Sequence, residues 1–383
     1  MQLSLINKFF LFLILFSIPL SANAVPEFST EAKQAFIYDY ETGKVLFEKD
    51  SKVQMVPSSM TKLMTLYILF DRLKDGKIKL DTQFSVSERA WRMGGSKMFV
   101  EIGKTIGVED LIRGIVVQSG NDACVVVAEG ISGTEEAFAE EMNFYAKKLG
   151  LTGSNFRNST GWPDDNHYMT ASDLGILSEK LIRDMGEYYH YFSETVYVHH
   201  GITQHNRNTL LGKVAGIDGL KTGHTEAGGY GIAISGKVGL DNNSRRVIVV
   251  VNGLNNEKHR ESEANRLYQY AIREFSNVRF FNEGEKVADI DVWFGKEKTV
   301  PAVVTKDIVH TLSHYDRDKL EVTVEYNSPI AAPIVKGQEL GKLYIKKPGE
   351  VDETIAIVAG ADAEKLSFIK RIFASFDYYF SGE

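Results

Sequence analysis

Pro57-Ser58-Ser59-Met60-Thr61-Lys62, with Leu63–Leu73 directly behind it, is the stretch from which the rest of the chain is read. Proline is tolerated in a first helical turn and serine can cap orphan amides, so the segment has the composition of a helix start. The run behind it (Leu63, Met64, Leu66, Tyr67, Ile68, Leu69, Phe70 and Leu73) is apolar nearly all round and predicts a buried helix. Three residues apart in the first turn, Ser59 and Lys62 share one face. A hydroxyl beside an amine at the mouth of a buried helix is a nucleophile with a candidate base. The spacing alone is weak, because Ser367-Phe368-Ile369-Lys370 repeats it in a context that suggests no chemistry. Other parts of the chain must complete the first copy.

On the N-terminal side, Ala35–Glu48 reads as two strands joined by a Glu41-Thr42-Gly43-Lys44 turn. On the C-terminal side, Asp81–Phe84 and Met98–Phe99 are short strand-like pieces around Gly94-Gly95. Helices are expected from Gly107 to near Val117, over Ala123–Glu129 with a stop at Gly130, over Thr134–Leu149, and over Thr170–Leu181 with Thr170 or Ser172 as cap. Gly219–Thr225, Tyr230–Lys237 and Arg245–Val251 are strand-like runs separated by turn signals, and Arg260–Phe275 is an amphipathic helix. Central helices flanked by strands from both ends of the segment predict an α+β domain with an antiparallel sheet over 25–275.

Residues 276–360 change character. Val287–Val292 and Leu320–Tyr326 alternate apolar and polar side chains, and Pro and Gly punctuate short segments, which predicts a small all-β domain. In the tail, 361–383, the residues Leu366, Ile369, Ile372, Phe373, Phe376 and Phe380 share one face of a helix drawn over Ala363–Phe380, with Lys365, Lys370 and Arg371 off it. Such a stripe fits an amphipathic helix lying on a membrane surface. The alternative is packing on its own domain or on a partner subunit.

Residues 1–24 hold one cation, Lys8, then the apolar run Phe9–Leu20 and Ala22-Asn23-Ala24, the pattern of a secretory signal peptide cut after Ala24. The expected location is therefore outside the cytoplasm. Losing Lys8 takes the formal charge from −7 to −8, and an acidic balance argues against a nucleic-acid partner. With Cys124 the single cysteine, no internal disulfide can form, and stability must come from the core.

Two further segments share the logic of the first. Ser119-Gly120-Asn121 lies between two predicted helices, where Gly120 permits a sharp bend. Lys221-Thr222-Gly223 lies on a predicted strand, with Lys221 and Gly223 on one face and Thr222 on the other. A glycine there leaves room for a substrate along the strand. The joint chemistry is acyl transfer through serine. Lys62 can take the Ser59 proton only as the neutral amine, and burial together with the Lys221 cation would favour that form. Ser119 could relay a proton and Asn121 hold an amide, while the backbone amides of Ser59 and His224 could form an oxyanion hole.

With these residues in view, the chain resembles the penicillin-binding D-alanyl-D-alanine carboxypeptidases, the low-molecular-mass serine enzymes of peptidoglycan maturation. Pro57–Lys62, Ser119–Cys124 and Asp218–Thr225 match that family's three blocks, and the likeness extends through the β domain to the tail. The resemblance implies a β-lactamase/transpeptidase-like fold with a helical subdomain, followed by the all-β domain and an anchoring helix. It implies Ser59 as the acylated nucleophile, Lys62 as base, and Ser119, Asn121 and Lys221 as proton and peptide handlers. Thr222, Gly223, His224 and Thr225 would lie along the substrate, with Thr222 and Thr225 on its terminal carboxylate. Arg260 matches a family arginine near that subsite, and Arg207 another that orders the site. The implied partners are peptidoglycan pentapeptides, β-lactams as covalent inhibitors, and the membrane surface; no cofactor is implied.

The loop Gly161–His167 contains Asp164 and Asp165 but no glutamate to activate a deacylating water, so fast β-lactam hydrolysis is not expected. The histidines show no metal-binding spacing. Cys124 is most simply a buried small residue. Rival readings are an endopeptidase acting on cross-links with the same residues, and a wall-binding protein with a vestigial site.

Overall fold

The computed structural model describes residues 28–239, 244–346 and 352–373. The predicted signal segment, and the part of the predicted tail helix beyond Phe373, lie outside them. The first unit is a five-stranded antiparallel sheet in the order β2 (Val45–Lys49), β1 (Gln34–Asp39), β9 (Arg245–Leu254), β8 (Gly229–Val238) and β7 (Ile217–Thr225). Alternation along β9 shows why both faces are covered. Val247, Val249 and Val251 join one apolar cluster, with Leu267 and Tyr268 of the helix Glu257–Glu274, while Ile248 and Val250 join the other.

The second cluster is formed by helices α1 (Lys62–Lys74), α3 (Val108–Val116), α4 (Asn121–Ser132), α5 (Glu135–Lys148) and α6 (Ala171–Asp184), numbered after a short α2 (Glu88–Arg92). Their caps follow local chemistry: Thr134, Thr170 and Asn256 each accept a hydrogen bond from an amide three residues on. Two details differ from expectation. The helix after Ser119 runs through Gly130 to Ser132, because Gly130 is the flat spot on which the Phe84 ring lies; a Cβ there would come within 2.5 Å of it. Met98–Phe99 is not a strand: β3 (Gln83–Ser85) pairs instead with β4 (Thr105–Gly107).

From Phe275 onward the described residues are all-β apart from one short turn of 3-10 helix and the tail. A two-stranded ribbon (Phe275–Phe281 with Ile308–Ser313) joins a six-stranded sheet around Ile290, Leu343, Ile345 and Ile357. At the junction Asp39 accepts the Arg245 Nε bond (2.6 Å), and Thr42 Oγ1 meets Thr311 Oγ1 (2.5 Å), tying the β1–β2 turn to the ribbon. The predicted tail helix begins later than expected, at Phe368. Ala363 is buried and paired with Ile334, and the Leu366 amide donates to Phe294, so these residues extend the β domain.

Candidate active site

The polypeptide enters α1 through a single 3-10 turn, Ser58–Thr61, with Ser58 at φ 50°. That turn sets Ser59 at the rim while Lys62, one step on, is fully buried. The Lys62 Nζ donates to Ser59 Oγ (2.7 Å) and to the Thr160 carbonyl (2.8 Å). Burial above all, with the Arg207 cation adding to it and Asp122 opposing, lowers the Lys62 pKa from 10.5 to about 8. Cys124, also fully buried, is pushed up to about 12 and is uncharged over that range. The amine is thus poised to exchange its proton near neutrality.

Lys221, buried on the edge strand β7, is also held well below its ordinary pKa, by burial first and by the Lys62 charge second. The sequence predicts burial and the Lys221 cation as the causes of a low Lys62 pKa; burial is the main cause, and the cation that adds to it is Arg207. Two buried amines cannot both carry charge cheaply, and Lys221 donates a long bond to the Thr222 carbonyl (3.3 Å).

The bend between α3 and α4 is made by Ser119, at φ 64°, and not by Gly120, whose φ of −58° any residue adopts. Gly120 is needed for closeness: a Cβ would meet Asp122 Oδ1 at 2.9 Å and the Met98 amide at 3.2 Å. Ser119 Oγ is buried with no hydrogen-bond partner among the described residues. Asn121 Nδ2 donates to the Gly94 carbonyl (2.9 Å), and its own amide to Ser96 (2.7 Å). Asp122, which sequence reasoning missed, accepts from the amides of Met98 (2.9 Å), Phe99 (2.9 Å) and Val100 (3.2 Å). One carboxylate therefore fixes the loop beside Asn121, and an acidic residue in the first turn of α4 was the available signal.

On β7, Gly223 does not clear a path for substrate. A Cβ there would lie 2.7 Å from the Pro57 carbonyl and 3.1 Å from Met60, so the glycine lets the nucleophile turn pack directly on the strand. Thr225 Oγ1 meets Ser58 Oγ (2.9 Å), a second tie between the same segments, and Thr222 is buried. His224 is exposed and stacked on Tyr230 (3.8 Å between ring centres), over which the Arg260 guanidinium lies at 5.8 Å. Arg260 donates to Glu257 and to the Arg207 carbonyl, which brings Arg207 to the same end of the strand.

The loop 158–167 closes the other side. Asn158 Oδ1 accepts from the amides of Thr160, Gly161 and Trp162, and Thr65 Oγ1 donates to the Ser159 carbonyl (2.6 Å). Gly161, at φ 79°, has no room for a side chain: a Cβ would be 1.8 Å from the Ser58 carbonyl. His167 accepts the Arg157 amide at Nδ1, so its proton sits on Nε2 and is donated to Thr61 Oγ1 (2.9 Å); burial lowers its pKa to about 4, leaving it neutral. Asp164 and Asp165 are exposed. Among the described residues a cleft of about 1810 Å³ opens at the domain junction, between Thr42, Arg245 and Asn277, and it holds none of these reactive groups.

A buried lysine on a serine hydroxyl, with a second buried lysine close enough to feel its charge, is the equipment of a serine acyltransferase. Residues 21–256 match the family described as D-alanyl-D-alanine carboxypeptidase, and 275–365 the penicillin-binding protein 5 C-terminal domain. The chain belongs to this family of low-molecular-mass penicillin-binding proteins. It is 35% identical to the D-alanyl-D-alanine carboxypeptidase DacF of Bacillus subtilis, over 90% of this chain and 88% of that one. Against DacA of Escherichia coli the identity is 33%, over 89% and 86%. Penicillin-binding protein 5 of Haemophilus influenzae superposes with a TM-score of 0.76 at 32% identity, covering 89% of this chain and all of that one. Penicillin-binding protein 6B of Escherichia coli gives 0.72 at 31%, covering 86% of this chain and 96% of that one.

Proposed function

We propose that this protein is a serine-type D-Ala-D-Ala carboxypeptidase that trims the terminal D-alanine from peptidoglycan pentapeptides through a Ser59 acyl-enzyme. The observation that carries the reading is the 2.7 Å contact between the Ser59 hydroxyl and a fully buried lysine amine. Neutral Lys62 takes the hydroxyl proton as Ser59 Oγ bonds to the carbonyl carbon of the penultimate residue. The peptide bond then breaks, and Ser119 passes a proton to the departing D-alanine nitrogen. Water cleaves the ester and restores the serine. Asn121 holds a substrate amide, and Lys221 supports the proton traffic around Ser119. Thr222, Thr225 and Arg260, ordered by Arg207, take the terminal carboxylate, with the peptide along Gly223 and His224. Donors for the developing oxyanion are the amides of Ser59 and His224.

A β-lactam would acylate Ser59 by the same attack, and the exposed Asp164 and Asp165 offer no buried base for rapid deacylation. Labelling by a fluorescent penicillin, lost in Ser59→Ala, tests the nucleophile. Release of D-alanine from a pentapeptide, against cleavage of a cross-linked dimer, separates carboxypeptidase from endopeptidase; the family relationship favours the former. The site of action we propose is the outer face of the inner membrane, reached through the signal segment and held by the tail helix. Exposed Phe368, Ile369, Ile372 and Phe373 support that contact, and no helix among the described residues is long and apolar enough to cross a membrane. Partition of the mature chain into vesicles, lost on deleting 367–383, checks it.

A further inference from the structure

Trp162 is an exposed tryptophan held rigidly at the mouth of the site. Its side chain is 45% accessible, yet its backbone has little freedom. The Trp162 amide donates to Asn158 Oδ1 and Thr160 Oγ1 (3.0 Å each), its carbonyl accepts from Asn158 Nδ2 (2.9 Å), and Pro163 restricts its torsions from the other side. The indole lies against the Gly94-Gly95 turn, where a Cβ on either glycine would come within 3.3 Å of the ring. The same Cβ on Gly95 would be 2.8 Å from Asn121 Nδ2, so the indole and the Asn121 carboxamide are neighbours across one glycine. Two residues before Trp162, the Thr160 carbonyl holds the Lys62 amine.

We propose that Trp162 is a specificity residue for the acyl half of the substrate, its indole covering the aliphatic side chain of the residue that precedes the two D-alanines. The inference rests on Ser59 being the acylated serine. A carboxylate keeps its hydration away from an aromatic face, so the leaving half, with its terminal charge directed to Thr222, Thr225 and Arg260, does not suit this wall. A methylene stem does. An indole that is already fixed and solvent-facing can cover such a stem without ordering itself first. Glycines at 94 and 95 are what let the ring come so close to the amide-holding group.

The test uses the mature chain and three probes: N-acetyl-D-Ala-D-Ala, diacetyl-L-Lys-D-Ala-D-Ala, and 6-aminopenicillanic acid, which carries no acyl side chain. For Trp162→Ala, kcat/KM on the lysine-containing peptide should fall about tenfold, Trp162→Phe should recover most of it, and the other two probes should react as before. The indole should also report directly, since the chain has only three tryptophans. In Ser59→Ala protein the lysine peptide should shift the emission, and adding Trp162→Phe should remove the shift. An equal loss on all three probes means Trp162 merely clamps the Asn121 turn and overturns the proposal, as does no loss on any. Failure of 6-aminopenicillanic acid to label Ser59 in the parent protein brings down the catalytic reading, and this one with it.

Discussion

Ser59–Lys62 and Ser367–Lys370 have the same spacing, and almost nothing else in common. The first pair sits where a 3-10 turn feeds a buried helix, with the lysine sealed from water and bonded to the hydroxyl at 2.7 Å. The second lies at the entry to the tail helix, with Ser367 and Lys370 both exposed. An amine in water is a solvated cation; the same amine without water loses its preference for the proton. Spacing brings two groups to one face, and burial makes them reactive. The difference comes from distant segments: the Thr160 carbonyl, the Cys124 helix and the strand carrying Lys221 exclude water from Lys62.

The contrast can be broken in several ways. Most severe should be Lys62→Ala or Ser59→Ala, each lowering kcat by about 10⁴-fold in a pentapeptide assay, as expected for removing a nucleophile or its base. Gly161→Ala attacks the enclosure instead. With a Cβ 1.8 Å from the Ser58 carbonyl and φ at 79°, it should cost about 3 kcal/mol in chemical denaturation and slow penicillin labelling. Asp122→Ala frees three amides of the 98–100 loop and should cost about 2 kcal/mol in the same measurement.

Acidity gives a finer test. With Lys62 near 8, acylation by penicillin should fall about tenfold for each pH unit below that value, as the neutral amine is titrated away. The same group affects folding. Because the unfolded chain keeps the Lys62 proton up to 10.5 and the folded one only to about 8, its penalty is full below 8 and fades as pH rises through that window. A stability curve that Lys62→Met leaves unchanged between those values would refute the burial argument. Smallest of all, Ser367→Ala and Lys370→Ala should leave turnover and labelling unaltered; any loss there would mean that spacing counts for more than enclosure.

Much of this was legible because the signals are local. The buried α1, the strands around Lys221 and the turn before Asn121 each declare themselves in a few residues. What was not legible depended on who lies opposite. Gly223 looked like clearance for a ligand and is clearance for Pro57 and Met60; Gly120 looked like the hinge, and Ser119 takes the strained torsion. Burial of Lys62 was legible in the apolar run behind it, but the cation that adds to the shift is Arg207 and not Lys221, because no spacing reveals which distant charge comes to lie nearby. Likewise Ala363 reads as the start of the tail helix but pairs with Ile334, a contact set by the β domain.

The position of β1 has a consequence for how the protein comes into being. This strand lies between β2, a few residues away, and β9, more than two hundred residues on, with Ala35 opposite Val251. Until that late segment arrives, the first strand has an open side and Lys221 has no sheet to hold it against the helix of Ser59. Pairings of such long range form slowly. A ribosome therefore delivers an inert chain, and the capacity to cut peptides arises all at once, after nearly the whole first domain has been released.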